Sequence, residues 1–180
     1  MTELELEKLK YPIGKIPAKT DFTKEEINNN IKTIEELPAK LRKAVENLSE
    51  EQLNTPYRPG GWNIKQVVHH IGDSHMNAFV RIKLALTEDT PSIKPYYEDR
   101  WAELADYKDT PLTVSLDLID SLHKRGIVLL KSLTAEQMKR GFHHPEHNKN
   151  FSVEQLVNIY AWHSEHHLAH ITGLKERMRW

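Results

Sequence analysis

Cysteine is absent from this 180-residue chain, which excludes disulfides, thiolate metal sites and a cysteine nucleophile. Glycine is scarce at seven residues. No Asn-Gly or Asp-Gly pair marks a hairpin and period-2 alternation is slight, so strands are not signalled. No apolar run approaches the roughly 18 residues of a membrane span, and no membrane partner is expected. The opening MTELELEKLK is charged and lacks the apolar centre of a signal peptide, so a cytoplasmic location is the expectation. An excess of either charge is also missing. The 25 Lys and Arg against 26 Asp and Glu leave a net charge of −1, with no electrostatic footprint for nucleic acid.

What is present in quantity is histidine, eleven residues in all, and helical periodicity. The length fits a single domain, residues 1–180, able to bury a core. Four long helices are predicted. The first covers about Lys24 to Leu48, opened by a Thr23–Glu26 capping box. Its apolar stripe is Ile27, Ile31, Ile34, Leu37, Leu41, Val45 and Leu48, and Pro38 is expected to kink or split it. A short turn at Ser49 to Leu53 and the breaker-rich TPYRPGG follow. The second helix covers about Asn63 to Leu86. Residues 87–111 form a long connection with Pro91, Pro95 and Pro111 and a short helix near Asp99 to Ala105; a connection of this length suits a crossover or a function. The third covers about Leu112 to Leu133, where Gly126 on the apolar face suggests either close backbone approach or a weak spot. TAEQMKRGFHHPEHNKN reads as a loop with a short turn. The fourth covers Val153 to Met178, capped by Ser152 and Gln155. The fold class is all-α, a four-helix bundle, and the long second connection allows an up-down-down-up order.

The last helix carries the chemistry. Its stripe runs Val153, Leu156, Tyr160, then resumes at Ile171, Leu174 and Met178. The two empty slots are filled by His163 and His167, spaced i and i+4 so that both rings lie on one side, a turn apart. Two neutral histidines in a core need partners and two charged ones repel. A shared cation resolves both, and a histidine–carboxylate network is the alternative. His170 lies at the stripe's edge and His166 on a flank. The sequence is not a zincin, since Ser164 stands where H-E-x-x-H needs its glutamate. Nor is it a di-iron bundle, since no Glu precedes a His by three residues. On the second helix, VVHHIGDSH offers His69, His70 and His75. Periodicity sends His69 to solvent, His75 to the middle of the stripe and His70 to a polar flank with Asn63, Ser74 and Arg81. Spacing leaves the choice between His70 and His75 open.

The chain resembles the DinB/YfiT-like family of metal-dependent hydrolases, in its YfiT branch from Gram-positive bacteria. YPIG at 11–14, LPAKL at 37–41, TPYRPGGW at 55–62, QVVHHIGDSHMN at 66–77, KRGFHHP at 139–145 and WHSEHHLAHIT at 162–172 carry the match. The resemblance implies a four-helix bundle, a homodimer, and one divalent ion on His70, His163 and His167, with zinc expected in function and nickel in a purified sample. It implies hydrolysis by metal-activated water. The alternative within the same family is a bacillithiol-type thiol S-transferase, which conjugates electrophiles through a metal-held thiolate. In either case the partner is a small molecule, in the second a low-molecular-weight thiol. A non-catalytic metal-binding stress-response module, closed by His75 or His166 as an extra ligand, and a purely structural histidine network are the competing readings. Asp73 is a candidate to orient His70, or an exposed helix residue. Arg81 is a candidate to bind a substrate carboxylate, or one half of a surface ion pair. Tyr160 is expected in the core, His143, His144 and His147 in a solvated loop, and His123 at the surface of the third helix.

Overall fold

Three of the four long helices begin where the sequence supplies a side-chain cap, and the remaining one follows Pro111. In the computed structural model, which describes residues 2–180, Thr23, Asn63 and Ser152 accept the amide protons of Glu26, Gln66 and Gln155, whose side chains return to the cap amides. These reciprocal boxes satisfy donors that a helix start otherwise leaves free. The chain order is α1 (Glu3–Lys10), α2 (Lys24–Val45), α3 (Glu50–Leu53), α4 (Ile64–Thr87), α5 (Glu98–Trp101), α6 (Ala105–Asp109), α7 (Leu112–Ser132), α8 (Ala135–Lys139), β1 (Gly141–His144), β2 (Lys149–Ser152) and α9 (Val153–Met178).

Helices α2, α4, α7 and α9 form the bundle, and cross-helix pairs give their directions. Arg42 meets Asp117 at 2.8 Å and Glu35 meets Lys131 at 2.7 Å, so α2 and α7 run antiparallel. Asn30 meets Asn158 at 3.2 Å and Lys40 meets Glu165 at 3.1 Å, so α2 and α9 run parallel. His69 with Ser115 and His75 with His123 make α4 and α7 parallel. His70 with His163 and Ser74 with Tyr160 make α4 and α9 antiparallel. The order is therefore up-down-down-up, with α2 opposite α4 and α7 opposite α9 across the diagonals.

Two apolar clusters fill the bundle. One joins Ile31, Ile34, Ala78, Ile82, Ile127, Leu156 and Val157. The other joins Leu37, Leu41, Val68, Ile71, Ile119, Ile171 and Leu174. Between them, on α4 and α9, lies the stretch where the apolar stripe is interrupted by histidine. The bundle core is thus split by a polar layer, which is stable only if its buried nitrogens find partners.

Several expectations change. Pro38 does not split α2, which is continuous through it; the bundle neighbours on both sides hold the helix while the proline leaves the Ile34 carbonyl without its usual i+4 amide. Gly126 meets nothing tighter than Phe79 Cδ2 at 3.8 Å from an added Cβ, so no close backbone approach requires it there. The connection after α4 carries two short helices, α5 and α6, rather than one. The loop after α7 contains a β-hairpin, β1 paired antiparallel with β2, turned by Pro145 to Asn148 with Asn148 at φ 45°. It lacks the two-residue glycine turn that signals hairpins. The hairpin docks on the long connection through the His143 amide to Pro91 oxygen (2.9 Å) and the Ile93 amide to His143 oxygen (3.0 Å). Helix α1, absent from the periodicity reading, is opened by a Thr2–Glu5 capping box and buries no residue, which explains why it left no apolar stripe. Among the described residues no helix is long and apolar enough to cross a membrane.

Candidate metal centre

The polar layer opens on one side into a cleft of about 430 Å³, lined by Trp62, His70, Ser74, Arg81, Tyr96, Glu98, His144, Tyr160, His163, His166 and His167 among others. Residues of α4 and α9 form its floor, and the connection and hairpin supply its rim. His70, His163 and His167 each bring one ring nitrogen to within 4.8 Å of the others. The i, i+4 pair from α9 and the flank residue of α4 are thus gathered in one place, which spacing on α4 could not decide.

Nε2 of His70 and Nε2 of His163 face each other at 3.2 Å. Burial, with His166 adding a smaller effect, pulls the His70 pKa down to about 4. Burial is also the chief reason that His163 and His167 lie well below the usual imidazole range, followed by their mutual repulsion with His70. All three are therefore neutral near pH 7, the form that binds metals. The outer Nδ1 atoms of His70 and His167 are buried without a protein partner. Three neutral imidazoles converging on a solvent-open cleft are a donor set that fits a divalent ion with a position left for a ligand. The charge repulsion that would follow protonation makes a cation the natural occupant.

Of the other histidines, His69 and His123 lie elsewhere than the sequence indicates, while His75 is buried on the stripe as expected. His75 does not close the site: its Nε2 sits 3.2 Å from Nδ1 of His163, behind the ring and away from the cleft. His69, expected in solvent, is buried with Nδ1 2.7 Å from the Ser115 hydroxyl, because α7 packs against that face of α4. His123, expected at the surface, is buried too, since α2 covers it; Nδ1 lies 2.7 Å from the Ile34 oxygen and Nε2 2.9 Å from His75 Nδ1. His166 lines the cleft with its ring stacked on Trp162. His170 is stacked on Tyr57 and its Nε2 donates to the Lys10 oxygen at 3.1 Å; burial holds it down to about 3. A second triad, His166, His167 and His170, is also gathered within 4.8 Å.

Asp73 does not orient His70. It accepts the Tyr107 hydroxyl at 2.7 Å, since α6 folds over that side of α4, and burial raises its pKa. No carboxylate of the described residues pairs with Arg81, which leaves its guanidinium at the cleft wall. Tyr160 is buried as expected yet also lines the cleft, its hydroxyl donating to the Ser74 oxygen at 2.9 Å. His144 and His147 reach the cleft because β1 turns toward it. Trp62, 4.6 Å between ring centroids from His70, and Tyr96 were given no role by the sequence. Both lie outside the long helices, where no periodicity points inward.

Comparison with known proteins places the chain in a family and confirms its fold. Residues 33–171, more than half of the chain, match the DinB superfamily. YfiT of Bacillus subtilis (strain 168), named a metal-dependent hydrolase on provisional grounds, is 49% identical over 172 residues, 96% of this chain and 97% of that one. A relative of the same description from Bacillus cereus (strain B4264) is 51% identical over 172 residues, 96% of this chain and 98% of its own length. The solved structure of Bacillus subtilis YfiT, described as a probable metal-dependent hydrolase with an unusual four-helix bundle topology, superposes with a TM-score of 0.94 and covers 96% of this chain and 99% of that one. The chain belongs to the DinB superfamily.

Proposed function

We propose that this protein is a metal-dependent hydrolase of small molecules, with one divalent ion, zinc in function, held by His70, His163 and His167. The observation that carries the reading is the convergence of three neutral imidazoles from two antiparallel helices on the floor of an open cleft. A divalent ion there would supply Lewis acidity toward a substrate oxygen and lower the pKa of water. The chain supplies the rest. Arg81, without an ion-pair partner, is suited to fork onto a substrate carboxylate or phosphate. Trp62, Tyr96 and Trp162 give apolar walls, in keeping with a small-molecule site of a few hundred Å³. Tyr160 is anchored by Ser74 and keeps the cleft floor rigid.

A second reading is transfer of a low-molecular-weight thiol to an electrophile. The cysteine-free sequence requires the sulfur to arrive with the co-substrate, and Arg81 would hold an anionic one. The test is a panel of esters, amides and lactams beside thiol-plus-electrophile pairs, run with zinc and with chelator. Chelator-sensitive hydrolysis that His167→Ala loses supports the first reading. Thiol consumption without hydrolysis replaces it with the second, and inactivity throughout removes both.

A further inference from the structure

His75 and His123 are buried, titratable and outside the triad, yet they form a continuous line from the triad to a helix backbone. The line begins at Pro38. Proline has no amide hydrogen, so the Ile34 carbonyl four residues earlier lacks its helical donor. His123 Nδ1 lies 2.7 Å from that oxygen. A carbonyl only accepts, so His123 carries its proton on Nδ1, and its Nε2 is left as an acceptor. His75 Nδ1, 2.9 Å away, donates to it, which leaves His75 Nε2 as an acceptor. His163 Nδ1, 3.2 Å from that atom, donates in turn, and the lone pair of His163 is left on Nε2, facing His70 and the cleft. His75 and His123 are buried and no carboxylate hydrogen-bonds to any of the three rings, so an extra proton on the line would be an uncompensated charge, and one proton per ring fixes a single direction.

We propose that Ile34, His123 and His75 form a tautomer-setting relay that holds His163 with its proton on Nδ1 and its Nε2 lone pair aimed at the metal position. His75 and His123 are positioning residues, and the proline in α2 is part of the device, because it frees the carbonyl that fixes every later proton. Of the three triad rings, His163 alone has its outer nitrogen held by a protein side chain. A carboxylate or carbonyl in contact with the ligand usually does this; here two further imidazoles carry the same constraint across the bundle from α9 through α4 and α7 to α2. The inference about metal affinity rests on the metal reading above; the proton positions do not.

The test has two parts. Nitrogen-15 spectra of metal-free, histidine-labelled wild type assign the tautomers directly. The expected result is Nδ1–H for His123, His75 and His163; an Nε2–H form at His75 or His163 overturns the relay, whether or not metal binds. Zinc affinity is then measured by chelator competition for wild type, His75→Leu and His75→Gln. His75→Leu is expected to lose about 10- to 100-fold. His75→Gln, whose amide oxygen can accept from His163 while its amide nitrogen donates to His123, is expected to stay within a few-fold of wild type. Equal affinities for Leu and Gln at position 75 overturn the positioning role, and a wild type that binds no zinc while keeping the Nδ1–H pattern removes only the metal reading.

Discussion

Lowering the pH of the metal-free protein should unfold it well above the range in which its carboxylates titrate. The cause is the histidine layer. An imidazole in the unfolded chain has a pKa near 6.5, whereas burial holds His70 and His166 down to about 4 and His170 to about 3. The unfolded state therefore takes up protons first. Their contribution to stability is complete above the unfolded value and is lost as pH falls from 6.5 toward 4. At pH 5 a single shift of this size costs about 2 kcal/mol; because His166 lies beside both His70 and His170, the three together cost less than three times that, still several kcal/mol. His75, His163 and His167 move in the same direction and add to the loss. A typical domain has about 5–15 kcal/mol in total, so the expected outcome is collapse of most stability between pH 6.5 and 5. Urea unfolding followed by circular dichroism in the presence of chelator, at half-unit pH steps from 7.5 to 4.5, reads this directly. A midpoint that is flat from pH 7 to 5 would refute the reasoning, because it would mean that the layer is solvated or already charged at neutral pH.

Other outcomes follow from the same structure. Zinc at about a hundred times its dissociation constant should stabilise the wild type by about 2.7 kcal/mol, a rise of roughly 5–11 °C in melting temperature for a chain of this size; His167→Ala should show no rise in a thermal-shift scan. Gly141→Ala should be strongly destabilising, since its Cβ would collide with the Phe151 carbonyl oxygen across the hairpin. Gly126→Ala should instead stabilise by about 0.5–1 kcal/mol, because the site has ordinary room and alanine is the better helix former; denaturant midpoints separate the two. Arg81→Gln should raise KM for carboxylate or phosphate substrates with little effect on neutral ones, measured once a substrate is in hand.

The frame was legible because long amphipathic helices announce themselves. The apolar stripes and the boxes at Thr23 and Ser152 mark α2 and α9, and the two-slot gap in α9 marks His163 and His167. What stayed hidden depends on contacts between distant segments. His69 and His123 carry no local sign of burial; α7 and α2 cover them only in the assembled bundle. Asp73 sits three residues from His70, yet Tyr107 from α6 takes its carboxylate. The hairpin is specified by docking on residues 91–93 rather than by its turn. Pro38 reads as a helix breaker in isolation, whereas in the fold it frees a carbonyl that a histidine on another helix uses.

The central claim is that His70, His163 and His167 hold one divalent ion. Elemental analysis of tag-free protein after zinc loading and desalting tests it most directly, with wild type beside His70→Ala, His163→Ala, His167→Ala and His170→Ala. The account requires about one ion per chain in wild type and in His170→Ala and essentially none in the three triad variants. A wild type that retains no ion, or His70→Ala and His163→Ala that retain the full amount while His167→Ala and His170→Ala lose it, would contradict the account and in the second case move the metal to the neighbouring triad of His166, His167 and His170.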